Sequence, residues 1–246
     1  KIISLILSDV VGDSLDMIAS GPTVRSNYTK QEAKMVIQKY GLEASIPHSI
    51  RAFFEEGDDS PGKARAFFQK EERVIVNVLV GSNTIAAHAA KKAAEELGFY
   101  TQIVSTTLQG EASRVGTKLG AELKEKILHA HKKSCWIYGG ETTVTLHGKG
   151  KGGRNQELVL SAAKELAGVE GGCLLSIATD GEDGPTDAAG AIADGMTVQR
   201  GLQKGLEIQE HLENNDAYTY FRKVDGLIFT GPTGTNVNDL VFLFAY

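Results

Sequence analysis

The sequence has little of several residue types that mark specialised classes of protein. Among its 246 residues there are two cysteines, five prolines and 7% aromatic residues. The two cysteines, Cys135 and Cys173, lie far apart, which excludes a disulfide-rich secreted scaffold and a zinc site built from Cys-x-x-Cys pairs. Such sparse cysteine favours a reducing compartment, so we expect a cytoplasmic protein.

A surplus of basic residues and long apolar runs are also absent from the sequence. The 26 Lys and Arg residues face 31 Asp and Glu residues, for a net charge of −5. We therefore expect no nucleic-acid partner, and the lack of an 18-residue apolar run argues against a membrane partner. Glycine, in contrast, is abundant at 28 residues, which favours tight functional turns over a flexible linker when proline is scarce.

Short apolar segments alternate with helical patterns along the chain. Ile2–Leu7, Val74–Val80 and Leu174–Thr179 predict buried strands, and the capping-box pattern Thr29–Glu32 predicts the start of a helix. This alternation predicts an α/β protein with largely parallel or mixed sheets. The polar segment Gly57–Lys63 is the best candidate for a linker.

Four polar loops that contain glycine follow predicted strands, at residues 8–13, 139–142, 179–187 and 231–236. In open α/β sheets the ligand crevice lies outside the carboxyl ends of the strands, and glycine lets backbone amides approach a phosphate closely. Ordinary turns are the alternative for any single loop. The candidate binding residues in the last three loops are Gly139, Gly140, Glu141, Thr142, Asp183, Thr186, Asp187, Gly231, Thr233, Gly234, Thr235 and Asn236.

The segment Gly148–Gly153, here called the glycine loop, matches the dinucleotide pattern G-x-G-x-x-G before a predicted helix. Anions favour helix N-termini, so we expect an anion site that includes Gly152, Gly153, Arg154 and Asn155. Arg154 is best placed to bind a phosphate or carboxylate through two parallel hydrogen bonds. A solvated hairpin turn is the alternative, and the next acid at a strand end stands too far along the chain for a typical dinucleotide site.

The segment Asp180–Asp187, here called the acidic loop, holds three aspartates. Clustered carboxylates beside a phosphate site suit Mg²⁺ binding or a general base for a hydroxyl nucleophile. The alternative is a set of helix caps and turn-forming residues. No Walker pattern and no G-x-S-x-G elbow occurs in the sequence, so neither a P-loop NTPase nor an α/β-hydrolase is expected.

Several of these motifs, in this order, resemble the MOFRL-type glycerate 2-kinases. The motifs are Gly139–Thr142, Gly152–Glu157, Thr179–Gly181 with Asp183–Gly190, Thr230–Asn236, and near the start Leu7–Asp13 and Ile18–Thr23. The resemblance covers nearly the whole chain. It implies two α/β domains with the active site in the cleft between them, and we place them at residues 1–60 and 72–246.

The resemblance also implies an activity and roles for individual residues. The family phosphorylates D-glycerate at its 2-hydroxyl with ATP and Mg²⁺ or a similar cation, giving 2-phosphoglycerate and ADP. Arg154 is the implied catalytic or phosphate-stabilising arginine. Asp180 is the implied active-site aspartate, either as the base for the substrate hydroxyl or as a ligand of the cation. Asp9, Ser20 and Gly21 would face the cleft from the first domain.

The family's amino-terminal half, with a glycine-lysine motif and an implied catalytic lysine, has no counterpart in this sequence. We therefore expect this chain to need that half as a partner and to be inactive alone. Two other functions stay open: an NAD(P)H-dependent hydroxypyruvate reductase and a non-catalytic nucleotide-binding module. The sequence is also compatible with a homo-oligomer.

Overall fold

The computed structural model describes residues 1–24, 28–55 and 75–246. By their internal contacts these residues form two compact units: unit 1 holds Lys1–Ile6 and Ser14–Val78, and unit 2 holds Leu7–Asp13 and Leu79–Tyr246. The predicted linker Gly57–Lys63 lies outside the described residues, so the predicted domain limits stay a prediction. None of the helices in the three described ranges is long and apolar enough to cross a bilayer.

The first elements of the chain are short and largely exposed. They are strand β1 (Ile2–Leu7), helices α1 (Lys30–Lys39) and α2 (His48–Glu55), and strand β2 (Ile75–Gly81), which pairs with β1 in a two-stranded sheet. The predicted capping box is present, because the Glu32 amide donates to the Thr29 hydroxyl at 3.1 Å and the Thr29 amide donates to the Glu32 carboxylate at 2.7 Å. Neither α1 nor α2 has a buried residue, so α1 is stabilised by this local cap and not by packing in a core.

Unit 2 is built around a six-stranded sheet. Its elements after β2 are α3 (Asn83–Glu96), β3 (Tyr100–Glu111), α4 (Ala112–His129), β4 (Ser134–Thr143), α5 (Arg154–Leu166), β5 (Gly172–Ala178), β6 (Gly190–Asp194), α6 (Thr197–Gln203), α7 (Ile208–Glu213), α8 (Ala217–Val224), β7 (Leu227–Ile228) and β8 (Asp239–Ala245). The strand order is β3-β4-β8-β5-β6-β7. Within this sheet only β3 and β4 pair in parallel, while β8 runs antiparallel to both β4 and β5. The sheet is therefore mixed, which is one of the two arrangements, largely parallel or mixed, that the sequence predicts.

Two strands differ from what the sequence pattern predicts. Residues 139–141 are a predicted turn, but β4 runs straight through Gly139 and Gly140. Gly140 has φ of 148°, and a Cβ there would lie 2.1 Å from the Leu108 carbonyl oxygen, so its missing side chain permits the close pairing of β4 with β3. The short strand Gly190–Asp194 was not predicted, because three small residues weaken its apolar pattern.

Helix α5 lies in the middle of the core of unit 2. Ten of its residues, Asn155–Ala163 and Leu166, are buried. Helix α4 approaches it closely, because a Cβ on Gly116 would lie 2.0 Å from the Leu158 carbonyl oxygen. Each fully buried leucine contributes about 1.5–3 kcal/mol through burial. Arg154 is the first residue of α5, so its backbone is held in place by a helix that is packed in the core.

Candidate active site around Arg154

Arg154 begins helix α5 and meets the first residue of the strand β8. Its Nε lies 2.6 Å from Oδ2 of Asp239, and its Nη2 lies 2.9 Å from Oδ1, so the pairing is bidentate. Asp239 is buried and stands opposite Gly140 in the register of β4 and β8. Bidentate pairing fixes the plane of the guanidinium as well as its position.

A second carboxylate contacts the same arginine from β4. Glu141 Oε1 lies 3.1 Å from Nη1 of Arg154. Burial by itself would lower the pKa of Arg154, but the hydrogen bonds and charge of Asp239, with the charges of Glu141 and Asp183, raise that pKa above its usual value. Burial raises the pKa of Asp239, and the hydrogen bonds from Arg154 oppose that rise. The guanidinium is therefore charged at every accessible pH.

Asp183 of the acidic loop caps the start of α5. Its carboxylate accepts hydrogen bonds from the Asn155 amide at 3.1 Å, the Asn155 side chain at 3.1 Å and the Gln156 amide at 2.9 Å. Burial raises its pKa, and these hydrogen bonds oppose the rise. The carboxylate occupies the position where an external anion would meet the helix amides. The structure thus places Asp183 in a capping role, which was the alternative for this aspartate.

The amides of the glycine loop and of His147 before it already have acceptors. The donors at residues 147–151 bond to Asn214, Asn215 and Asp216 at 2.7–3.1 Å. Lys151 Nζ lies 4.2 Å from the centre of the Tyr218 ring. Within the described part of the chain, the amides of Gly152, Gly153 and Arg154 have no protein acceptor. An anion approaching this loop would therefore find free backbone donors only at its last residues.

A cleft of about 710 Å³ in unit 2 brings several predicted residues together. The sequence-predicted residues on its wall are Glu141, Thr142, Gly152, Gly153 and Arg154. Glu157 and Asn215 also line the cleft and bond to each other at 2.9 Å. Burial raises the pKa of Glu157, and the hydrogen bond from Asn215 opposes that rise. The cleft thus has one fixed cation, Arg154, among acids and backbone donors.

Asp180 lies half-buried at the start of the acidic loop. Its Oδ1 accepts a hydrogen bond from the Glu182 amide at 3.1 Å, and its carbonyl accepts one from the Thr233 amide at 2.9 Å. The Thr233 hydroxyl donates to the Thr179 carbonyl at 2.6 Å. The negative charge of Asp180 adds to the rise in the pKa of Asp239.

The segment Gly231–Asn236, here called the terminal loop, is exposed throughout. Gly231 and Gly234 have φ of 68° and 74°, and open space surrounds the position of a Cβ on each. Among the described residues, no acceptor contacts the amides of Gly231, Gly234 and Asn236. The loop therefore presents free backbone donors on a surface that Thr233 ties to the acidic loop.

The remaining predicted residues of the acidic loop and of α5 form hydrogen bonds with other side chains of the protein. Thr186 is buried and accepts from the Gln156 side chain at 2.9 Å, and Asn155 accepts from the Ser176 hydroxyl. Asp187 is exposed, and the Tyr218 hydroxyl donates to it at 2.7 Å. That hydrogen bond lowers the pKa of Asp187.

The three residues predicted near the start of the chain are on or close to the surface. Asp9 is exposed just after β1. Ser20 and Gly21, at the end of a short 3₁₀ turn in unit 1, have φ of 64° and 60°. Their place in an active-site cleft stays a prediction.

Sequence reasoning missed two residues that hold the site together, Asp239 and Asn83. The Asn83 side chain donates to the Val237 and Asp239 carbonyls, each at 2.9 Å, and so fixes the entry into β8. The sequence did carry a signal for Asp239, since the polar pair Asn238–Asp239 directly precedes an apolar strand. A carboxylate at the buried end of a strand needs a partner, and Arg154 supplies it.

Comparisons with known proteins agree with this architecture. The MOFRL family matches residues 134–239, and a domain of unknown function, DUF4147, matches residues 1–55. Glycerate 2-kinase from Pyrococcus horikoshii is 42% identical over 97% of this chain and 54% of its own length. The crystal structure of glycerate kinase from Thermotoga maritima superimposes with a TM-score of 0.87 at 41% identity, over 100% of this chain and 57% of that one.

A further relative decides the family. Glycerate kinase from Macaca fascicularis is 34% identical over 99% of this chain, and the match covers 72% of that relative. The chain belongs to the glycerate kinase family. The chain spans 54% to 56% of the length of the first three curated relatives that it matches. The need for a further amino-terminal half of this glycerate kinase family member stays a prediction.

Proposed function

We propose that this glycerate kinase family member transfers the γ-phosphoryl group of ATP to the 2-hydroxyl of D-glycerate. The observation that carries the proposal is Arg154, a permanent cation fixed by Asp239 on the wall of a 710 Å³ cleft. Phosphoryl transfer depends mainly on positioning and on stabilising negative charge. A bond forms between the 2-hydroxyl oxygen and phosphorus, the bond to the ADP oxygen breaks, and the hydroxyl proton passes to a base.

Arg154 supplies the charge stabilisation in this proposal. A guanidinium has five N–H donors, and Asp239 takes two of them while Glu141 contacts Nη1. The donors on Nη1 and Nη2 that Asp239 leaves free can contact oxygens of the transferring phosphoryl group. Because Asp239 fixes the guanidinium in advance, little reorganisation is needed as charge develops in the transition state.

Backbone amides supply the phosphate contacts. The terminal loop has free amides at Gly231, Gly234 and Asn236, and the end of the glycine loop has them at Gly152 and Gly153. Glycine at positive φ in the terminal loop permits these donors to point outward without a side chain in the way. We assign the polyphosphate of ATP to these two segments.

Asp180 is the residue that accepts the hydroxyl proton or holds a divalent cation. Among the described residues, no three His, Cys, Asp or Glu side chains are grouped to hold a metal ion. Mg²⁺ bound with a nucleotide needs only one or two carboxylates besides phosphate oxygens, and Asp180 fits because Asp183 and Asp239 are already engaged. Such a cation would neutralise charge on the phosphates.

The test is ADP release by the intact gene product with ATP, Mg²⁺ and D-glycerate, beside a second assay with NADH and hydroxypyruvate. We expect ADP release that depends on D-glycerate. Loss of NADH without ADP release would contradict the proposal and favour the reductase. Binding of nucleotide with neither reaction would favour the non-catalytic module. The cytoplasmic location belongs to the same proposal and rests on the sparse cysteines.

A further inference from the structure

The two carboxylates that contact Arg154 differ in kind. Asp239 accepts two hydrogen bonds at 2.6 and 2.9 Å, and 6% of its side chain is exposed. Glu141 makes one ion pair at 3.1 Å, and 42% of its side chain is exposed. A buried bidentate pair is costly to break, whereas an exposed ion pair contributes little to stability. Asp239 is therefore a fixed anchor, and Glu141 can leave.

Glu141 stands where a ligand would arrive. Glu141 and Arg154 share the wall of the 710 Å³ cleft with the free amides of Gly152 and Gly153. A negative oxygen that reaches Nη1 of Arg154 would meet the Glu141 carboxylate at the same nitrogen. Two anions this close repel each other, so one excludes the other. Asp183 cannot play this part, because the amides of α5 hold it in place.

We propose that Glu141 is a displaceable occupant of the anion position on Arg154. Its carboxylate contacts Nη1 and moves aside when an anionic oxygen of the ligand binds, while Asp239 keeps the guanidinium in position. The inference rests on the proposed function only for the identity of the ligand, which is a phosphate of ATP or the carboxylate of D-glycerate. Glu141 thus sets the affinity of the site by competing with its ligand.

Isothermal titration calorimetry on Glu141→Gln tests this inference without turnover. The titrants are a non-hydrolysable ATP analogue, D-glycerate and inorganic pyrophosphate. Because an exposed ion pair is weak, we expect Glu141→Gln to tighten binding of pyrophosphate and of one natural ligand by up to about fivefold. The natural ligand that responds identifies the group on Arg154. Glu96→Gln is the matched control, since it removes the same charge from a surface pair with Lys92.

A double-mutant cycle separates competition at Arg154 from a general effect of charge. In an Arg154→Gln background the Glu141 substitution should leave all three affinities unchanged, and thermal unfolding checks that each variant folds. Equal tightening in that background would overturn the inference. The inference would also be overturned if Glu141→Gln bound all three titrants no more tightly than the wild type does. If pyrophosphate responds while ATP analogue and D-glycerate do not bind, the inference stands and the proposed function fails.

Discussion

The glycine loop and the terminal loop look alike in sequence and differ in structure. Both are rich in glycine and follow a strand. The amides of residues 147–151, however, donate hydrogen bonds to Asn214, Asn215 and Asp216. The terminal loop leaves its Gly231, Gly234 and Asn236 amides without acceptors among the described residues. A glycine pattern shows that a backbone can closely approach another group. It does not show whether the partner is a ligand or the protein itself.

The largest expected effect concerns Arg154, where the glycine loop ends and helix α5 begins. Arg154→Ala should lower kcat by about 10²–10³-fold, because it removes the fixed donor for the transferring phosphoryl group. Arg154→Lys keeps the charge and loses the bidentate geometry, so it should recover only part of the activity. Steady-state kinetics of the full protein measures both. Near-normal kcat in Arg154→Ala would remove this residue from the mechanism.

A matched pair of alanine substitutions separates the two loops. In Gly234→Ala the backbone at φ of 74° is strained, and the Gly234 amide is pulled from its position, so KM for ATP should rise by about tenfold, the value of one charge-assisted hydrogen bond. In Gly150→Ala the new Cβ would lie 2.5 Å from the Asn214 carbonyl oxygen, so stability should fall by about 1–3 kcal/mol. KM for ATP should then stay unchanged. The reverse pattern would move the phosphate contacts from the terminal loop to residues 148–151 of the glycine loop.

The cap of α5 gives a smaller effect that depends on pH. Asp183→Asn should lower the free energy of unfolding by about 1–3 kcal/mol, because an NH2 donor replaces one of the two oxygens that accept hydrogen bonds from Asn155 and Gln156. Burial raises the pKa of Asp183 in the folded state, so the folded protein binds the proton more tightly than the unfolded chain. The difference in the free energy of unfolding between the wild type and the variant should therefore be largest in acid. It should shrink as the pH rises above 3.8, the ordinary pKa of an aspartate. Urea unfolding across a pH series measures this, and a gap that widens with pH would contradict it.

The smallest effect lies at the exposed end of the acidic loop. Tyr218→Phe removes the hydroxyl that donates to Asp187 and lowers its pKa. The pKa of Asp187, followed by NMR titration, should rise toward its ordinary value in the variant. The pKa of Asp187 is lower in the folded protein than in the unfolded chain. The small stabilisation from this contact is therefore present above the ordinary pKa of an aspartate and is lost as the pH falls through the pKa of the folded protein. No change in the Asp187 titration would show that the contact is not formed in solution.

What the sequence could predict follows from local pattern. Periodicity predicted the strands before the loops at residues 8–13, 179–187 and 231–236, and the Thr29–Glu32 cap was confirmed because it involves residues three apart. Arg154 was singled out because its motif is contiguous. The α/β class with a mixed sheet follows from the same alternation of segments.

What escaped prediction depends on contacts between distant parts of the chain. Arg154 and Asp239 are separated by 85 residues, and Asn155 and Asp183 by 28. The acceptors of the glycine-loop amides come from Asn214–Asp216, which carry no signal of that role. Only the strand order places Asp239 beside β4, and a local pattern does not encode strand order.

The position of β8 has a consequence for how this molecule is made. Strand β8 lies between β4 and β5, yet it follows all the other strands of its sheet in the sequence. A ribosome therefore delivers the two halves of the sheet before the strand that joins them. Until Asp239–Ala245 leave the exit tunnel, β4 and β5 each keep an unpaired edge and Arg154 lacks its anchor. Assembly of the arginine site therefore waits for the last strand of this sheet to be synthesised, and before that moment nascent chains would be most sensitive to chaperones that cover open edges.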